Sequence, residues 1–132
     1  ITTLEIEAST FIDLMTTHVI PAGVKYQSEL LNNVSQLKAL ADILPEGSSD
    51  AEVEMLKAVT TEINALKAAC DTLKHNVAAA EAIEDLSEKA KFFADNIVDL
   101  LESGRLPAEK LETLIPDAMW TLPKYSEMLF IM

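Results

Sequence analysis

Cysteine, glycine and proline are scarce in this chain, which has one, three and five of them among 132 residues. A single cysteine excludes an internal disulfide and any multi-cysteine zinc or iron–sulfur site, and it is typical of a reducing compartment. Glycine and proline are too few for a β-sandwich or barrel, which needs a turn about every 8 to 12 residues. With 49% hydrophobic and 24% charged residues, the composition instead predicts one all-α globular domain over residues 1–132.

Long hydrophobic runs and targeting signals are also missing. The sequence has no stretch of about 18 uncharged apolar residues, the length that a membrane span needs. No signal-peptide pattern opens the chain. We therefore expect no membrane partner and a cytoplasmic location.

Positive charge is in short supply as well. The chain has ten Lys and Arg residues and 22 Asp and Glu residues, which gives a formal net charge of −12. A surface this acidic repels phosphate, so we expect neither nucleic acid nor anionic lipid as a partner. The acidic residues are spread along the chain, which is typical of a solvated face and, as an alternative, of a surface that docks a basic partner.

The first segment of the chain has helical periodicity. Thr2 and Glu5 form a capping-box pattern at its start, and a run of Pro, Glu, Gly and Ser from Pro45 ends it. Pro21 cannot donate a backbone hydrogen bond, so we predict one helix over residues 2–44 that is kinked at Pro21. Its apolar residues recur in steps of three and four: Leu4, Ala8, Phe11, Met15, Val19, Ala22, Tyr26, Leu30, Val34, Leu37, Ala41 and Leu44.

A second helical segment opens with another capping-box pattern, Ser49 with Glu52, and contains no Gly or Pro from Asp50 to Ser103. Its apolar residues keep the same steps up to Ala80: Leu56, Val59, Ile63, Leu66, Cys70, Leu73, Val77 and Ala80. The phase then slips near Ile83, which indicates either a stammer in one long helix or a turn. We favour a turn around residues 80–85, and hence helices over 50–81 and 85–103.

The last part of the chain predicts a short helix and an extended tail. Gly104 is placed as the residue after a helix end, Pro107 as the first residue of a new helix over 107–115, and Pro116 ends it. The tail, residues 117–132, carries Trp120, Tyr125 and Phe130. These aromatic residues are predicted anchors, either in a strap over an antiparallel bundle of the long helices or in a contact with another subunit or domain.

Residues with catalytic or metal-binding chemistry are few and scattered. Neither His18 nor His75 completes the Glu-x-x-His motif of a di-iron bundle, and His75 is interpreted as a solvated helix residue rather than a phosphorelay histidine. Cys70 lies on an apolar stripe, where a small buried thiol is expected rather than a nucleophile. No glycine-rich phosphate loop is present. We therefore predict no catalytic, cofactor-binding or metal-binding residue in this chain.

Two stretches resemble a known family. They are the segment Leu4-Glu5-Ile6-Glu7-Ala8 that leads to Ile20-Pro21-Ala22, and the ending from Trp120 to Phe130, in which Pro123, Tyr125 and Leu129 recur at a characteristic spacing. Both look like the C-terminal region of type III glutamine synthetases. Thr121 stands where that family usually has proline, and Gly104 where it usually has a helix-favouring residue.

The resemblance implies a parent enzyme that makes glutamine from glutamate, ammonia and ATP, with magnesium, in large assemblies of hexameric rings. The catalytic motifs of that family lie upstream, so the resemblance implies no catalytic residue here. Together with the start at Ile1, it predicts an excised helical domain that supports folding or oligomer packing. Its partners would be the upstream catalytic region and neighbouring subunits. The alternatives are a free-standing acidic helical module that binds a partner and an enzyme in its own right.

Overall fold

The computed structural model of the chain describes residues 2–120 and residue 122. Within them, the chain forms three helical rods that lie side by side and no β-strand. The first and third rods run in the same direction, and the second runs antiparallel to both. The predicted class, an all-α antiparallel bundle of long helices, is confirmed.

The first rod consists of α1 (Thr2–Leu14), a π-helical turn (Met15–Val19) and α2 (Ile20–Ala39). The chain passes through Pro21 without leaving the helix, and the kink at Pro21 stays a prediction. The rod ends at Ala39 rather than at residue 44, because Leu40 leaves the helical conformation (φ −103°, ψ 20°) and the N–H groups of Leu40 and Ala41 donate only three residues back, to Leu37 and Lys38.

The π-helical turn adapts the backbone to the proline that follows it. The N–H of Ile20 donates to the carbonyl of Met15, five residues back. The hydroxyls of Thr16 and Thr17 donate to the carbonyls of Ile12 and Asp13, at 2.8 and 2.6 Å. These side-chain bonds go to carbonyls just before the π-helical turn, where the backbone changes its hydrogen-bond register.

The second rod is α3 (Asp50–Glu81), whose bounds agree with the prediction. The predicted capping box is wrong, because Ser49 makes no side-chain cap hydrogen bond. Its backbone, at φ −104° and ψ 5°, departs from the extended conformation from which an N-cap hydroxyl reaches the next turn. The entry turn instead depends on Gly47, whose φ of +80° few other residues adopt.

A turn separates the second rod from the third, so the favoured interpretation of residues 80–85 is confirmed over a continuous helix. Asp85 is the N-cap of α4 (Leu86–Phe92), and its carboxylate accepts from the N–H groups of Ser87 and Glu88 at 2.8 and 3.3 Å. This cap fixes where the third rod begins.

The third rod continues from α4 through a second π-helical turn (Phe93–Ile97) into α5 (Val98–Leu114). The predicted division into helices over 85–103 and 107–115 is wrong, since α5 contains both Gly104 and Pro107. Gly104 is a packing residue: a Cβ there would lie 2.9 Å from the ring of Phe11. Pro107 is buried, and packing of the rod offsets the roughly 3 kcal/mol that an interior proline costs.

The apolar stripes form two clusters in the bundle. Core 1 joins the middle of the first rod to the first half of α3 and the end of α5. Core 2 joins the start of α1 to the end of α3 and the second π-helical turn, with Ala8, Leu73, Ala80, Phe93, Ile97 and Leu101 as its buried members. The start of the first rod thus packs against the end of the second rod, as expected when these two rods run in opposite directions.

Candidate interaction site

A groove of about 400 Å³ lies between the first rod and α5. We call it the α1–α5 groove. Its apolar floor comes from Phe11, Leu14, Met15, Val19 and Ala108, its rim from Arg105, Glu109 and Glu112, and one side from Trp120 and Leu122.

The chain after α5 folds back to reach this groove. The helix ends at Leu114, and a 3-10 turn follows at Asp117–Met119. Inside that turn, the N–H of Met119 donates to the carbonyl of Pro116 at 2.9 Å and the N–H of Trp120 to that of Asp117 at 3.1 Å. The reversal places Trp120 and Leu122, both half-buried, against core 1.

Of the three predicted anchors, the structure places Trp120. Tyr125 and Phe130 lie outside the described residues, so their role as anchors stays a prediction. Trp120 packs against core 1 of its own chain, and its role as an anchor, in a strap or in an intersubunit contact, stays a prediction.

The predicted buried thiol is found in core 1. Cys70 is 1% exposed. Burial, followed by the nearby carboxylate of Asp71, raises the pKa of its thiol. Because the thiolate is the reactive form, a raised pKa makes Cys70 a poor nucleophile.

Neither histidine lines the α1–α5 groove. His75 is exposed on α3, in agreement with a solvated residue, and His18 is half-buried in the first π-helical turn. Over residues 2–120 and 122, no group of three or more His, Cys, Asp and Glu side chains is placed to hold a metal ion.

A second surface extends along the hairpin made by α2, α3 and the turn between them. Ile115 at the end of α5 reaches Gly23, whereas α2 continues for about 24 Å beyond Gly23 at 1.5 Å per residue. Most of the large exposed apolar side chains lie in this hairpin: Val24 (47% exposed), Leu31 (54%), Leu40 (49%), Ile43 (76%) and Met55 (42%). We call these five residues the hairpin patch.

Sequence reasoning missed the α1–α5 groove because it divided α5. A signal for an undivided helix was available: Ile97, Leu101, Gly104, Ala108, Leu111 and Ile115 follow one another in steps of four and three. All six are buried or half-buried. This periodicity continues across Gly104 and Pro107 and predicts the undivided helix α5, which forms one wall of the groove.

Comparison with known proteins identifies related sequences. Residues 1–38 match the family described as the glutamine synthetase C-terminal domain. The chain is 31% identical over 128 residues to a glutamine synthetase of Bacteroides fragilis (strain YCH46), an alignment that covers 96% of the chain and 18% of that protein. It is 25% identical over 129 residues to the type-3 glutamine synthetase of Dictyostelium discoideum, covering 97% of the chain and 18% of that protein.

A glutamine synthetase of Butyrivibrio fibrisolvens is 26% identical over 128 residues, which are 96% of the chain and 18% of that protein. The chain thus spans about a fifth of the length of the curated relatives that it matches. The matches confirm the resemblance carried by the sequence motifs. Separately, no helix of the described part of the chain is long and apolar enough to cross a membrane.

Proposed function

Because this chain is related to the C-terminal domain of glutamine synthetases, type III among them, we propose that it is the non-catalytic helical C-terminal domain of such an enzyme. The parent enzyme ligates ammonia to glutamate with ATP and magnesium in the cytoplasm. The domain supports folding and oligomer packing by binding the catalytic region, in the same polypeptide or in neighbouring subunits.

The hairpin patch is the observation that carries this proposal. Ile43 is 76% exposed and Leu31 54% exposed, and both belong to a hairpin that extends beyond the end of α5. Five of the nine large apolar side chains that are exposed among the described residues belong to this hairpin, and exposed apolar surface that gathers in one part of a soluble protein marks an interaction site. In the parent enzyme, the catalytic region covers this patch, and burial of these side chains stabilises the assembly.

A non-catalytic role fits the chemistry of the described residues. The thiol of Cys70 is buried in core 1, with a raised pKa. His75 lies on an exposed face of α3. Among the described residues, no group of three or more His, Cys, Asp and Glu side chains is placed to hold a metal ion, and in this proposal ATP and magnesium bind in the catalytic region of the parent enzyme.

The test places Leu31→Ser and Ile43→Ser together in the full-length parent enzyme, with Leu106→Ser as the matched control. Leu106 on α5 is 62% exposed and lies outside the hairpin patch. Sedimentation of the double variant should show loss of the oligomer, whereas the control should sediment like the wild type. Unchanged circular dichroism of the double variant in the isolated chain would show that the bundle itself is intact.

Two outcomes would overturn the proposal. One is a double variant that assembles and turns over like the wild type. The other is an open reading frame that stops just upstream of Ile1, which would favour a free-standing acidic module. In that case, the net charge of −12 predicts a basic protein partner whose binding weakens as salt is raised.

A further inference from the structure

We propose that the α1–α5 groove is the binding site for residues 123–132 of the same chain, with the ring of Tyr125 in the groove. This inference goes beyond the proposed function, because it concerns a contact within the chain and holds whether or not a catalytic region is attached.

The reach of the segment fits the groove. Leu122 already lines one side, and Tyr125 follows three residues later, about 10 Å away in an extended chain. The groove wall from Phe11 to Val19 measures about 12 Å along the helix axis. By the same measure, an extended chain would carry a residue eight positions after Leu122, such as Phe130, up to about 26 Å away, which is more than the length of the groove wall.

The chemistry of the segment fits as well. Residues 123–132 contain Tyr125, Met128, Leu129, Phe130, Ile131 and Met132, together with one lysine and one glutamate. The groove offers an apolar floor with a rim that carries both signs of charge. An aromatic side chain buries roughly 150 to 250 Å², and a groove of about 400 Å³ is within the usual size of a binding pocket.

Tethering favours the chain's own segment over that of a second copy. Residues 123–132 start at the edge of the groove, next to Leu122. A segment held by so short a connection has an effective concentration on the order of millimolar. A second copy at micromolar concentration competes poorly with it.

The first experiment uses the full chain and Tyr125→Ala, with Ser126→Ala as the matched control in the same segment. Trp120 is the chain's only tryptophan and lines the groove, so its emission reports on the filling of the groove. Tyr125→Ala should shift this emission to the red and lower the melting temperature by roughly 5 °C. Ser126→Ala should do neither, and Phe130→Ala should have a smaller effect than Tyr125→Ala.

The second experiment combines Tyr125→Ala with Ala108→Leu, which fills part of the groove from α5. If Tyr125 occupies the groove, its removal should change the melting temperature by less than half as much in the Ala108→Leu chain. Additive effects, or no shift of Trp120 emission in Tyr125→Ala, would overturn the proposal. So would an emission shift that depends on protein concentration, since that outcome assigns the groove to a second copy.

Discussion

The ring of Phe11 on α1 lies against the backbone of Gly104 on α5, so closely that a Cβ at Gly104 would be 2.9 Å from both Cε1 and Cζ of the ring. This contact joins the first rod to the third and forms one end of the α1–α5 groove. It also explains why a glycine stands in the interior of a helix, where it costs about 1 kcal/mol relative to alanine.

Gly104→Ala tests this contact. In an exposed helix the change would be stabilising, but here the added methyl group displaces the Phe11 ring, and we expect a net loss of about 1 kcal/mol in the free energy of unfolding. Urea titration measures it. In a Phe11→Leu background the same substitution should become neutral or stabilising, and a loss in both backgrounds would mean that the ring is not the cause.

Leu66→Ala and Leu73→Ala test the burial of α3. Both side chains are fully buried, one in core 1 and the other in core 2. Each truncation should reduce the free energy of unfolding by roughly 2 to 5 kcal/mol. Lys67→Ala is the control: its ion pair with Asp71 is 57% exposed on both sides and contributes little. Equal small losses at all three positions would contradict the assignment of the cores.

The buried thiol of Cys70 should make the free energy of unfolding fall as the pH rises into the alkaline range. Burial raises the pKa of its thiol in the folded chain, so the folded state favours the neutral form. Its contribution to stability is complete below the ordinary thiol pKa and is lost as the pH rises through the raised value. Urea midpoints should therefore fall at alkaline pH, and Cys70→Ala should reduce that fall. An identical pH profile in the variant would show that other groups, such as Tyr26, cause it.

The isolated chain should be catalytically inactive. Incubated with glutamate, ammonium, ATP and magnesium, it should release no phosphate above background, because its described residues contain no group of three or more metal-ligating side chains and its sequence contains no glycine-rich phosphate loop. A coupled phosphate assay measures this. Turnover by the isolated chain would contradict the assignment of the chemistry to the catalytic region.

The helix α3 and the turn after it were predictable from local sequence. The stripe through Leu66, Cys70 and Leu73 keeps strict helical spacing and is buried as expected. The turn coincides with the phase slip, and Asp85 caps the next helix. At α3 and the turn after it, the local sequence preferences agree with the tertiary packing, so the sequence pattern was sufficient to predict both.

The third rod was predicted incorrectly because tertiary contacts override local rules there. Glycine and proline typically mark the ends of helices. Here, however, Gly104 packs against the ring of Phe11 and Pro107 is buried within α5. The π-helical turns were also missed, since a change of hydrogen-bond register leaves no pattern in the apolar spacing. The groove forms between two elements that are about 80 residues apart in the sequence, and local sequence patterns do not show that such distant elements pack together.

The proposal that this chain is the non-catalytic domain of a glutamine synthetase is tested most directly on the product of the complete gene that contains these 132 residues. Its mass and its glutamate-dependent and ammonium-dependent phosphate release should be determined beside those of the isolated chain. We expect a product about five times longer than this chain, from the 18% coverage of its relatives, that forms glutamine while the isolated chain does not. A product of about this chain's length, or a long product without glutamine-forming activity, would contradict the account.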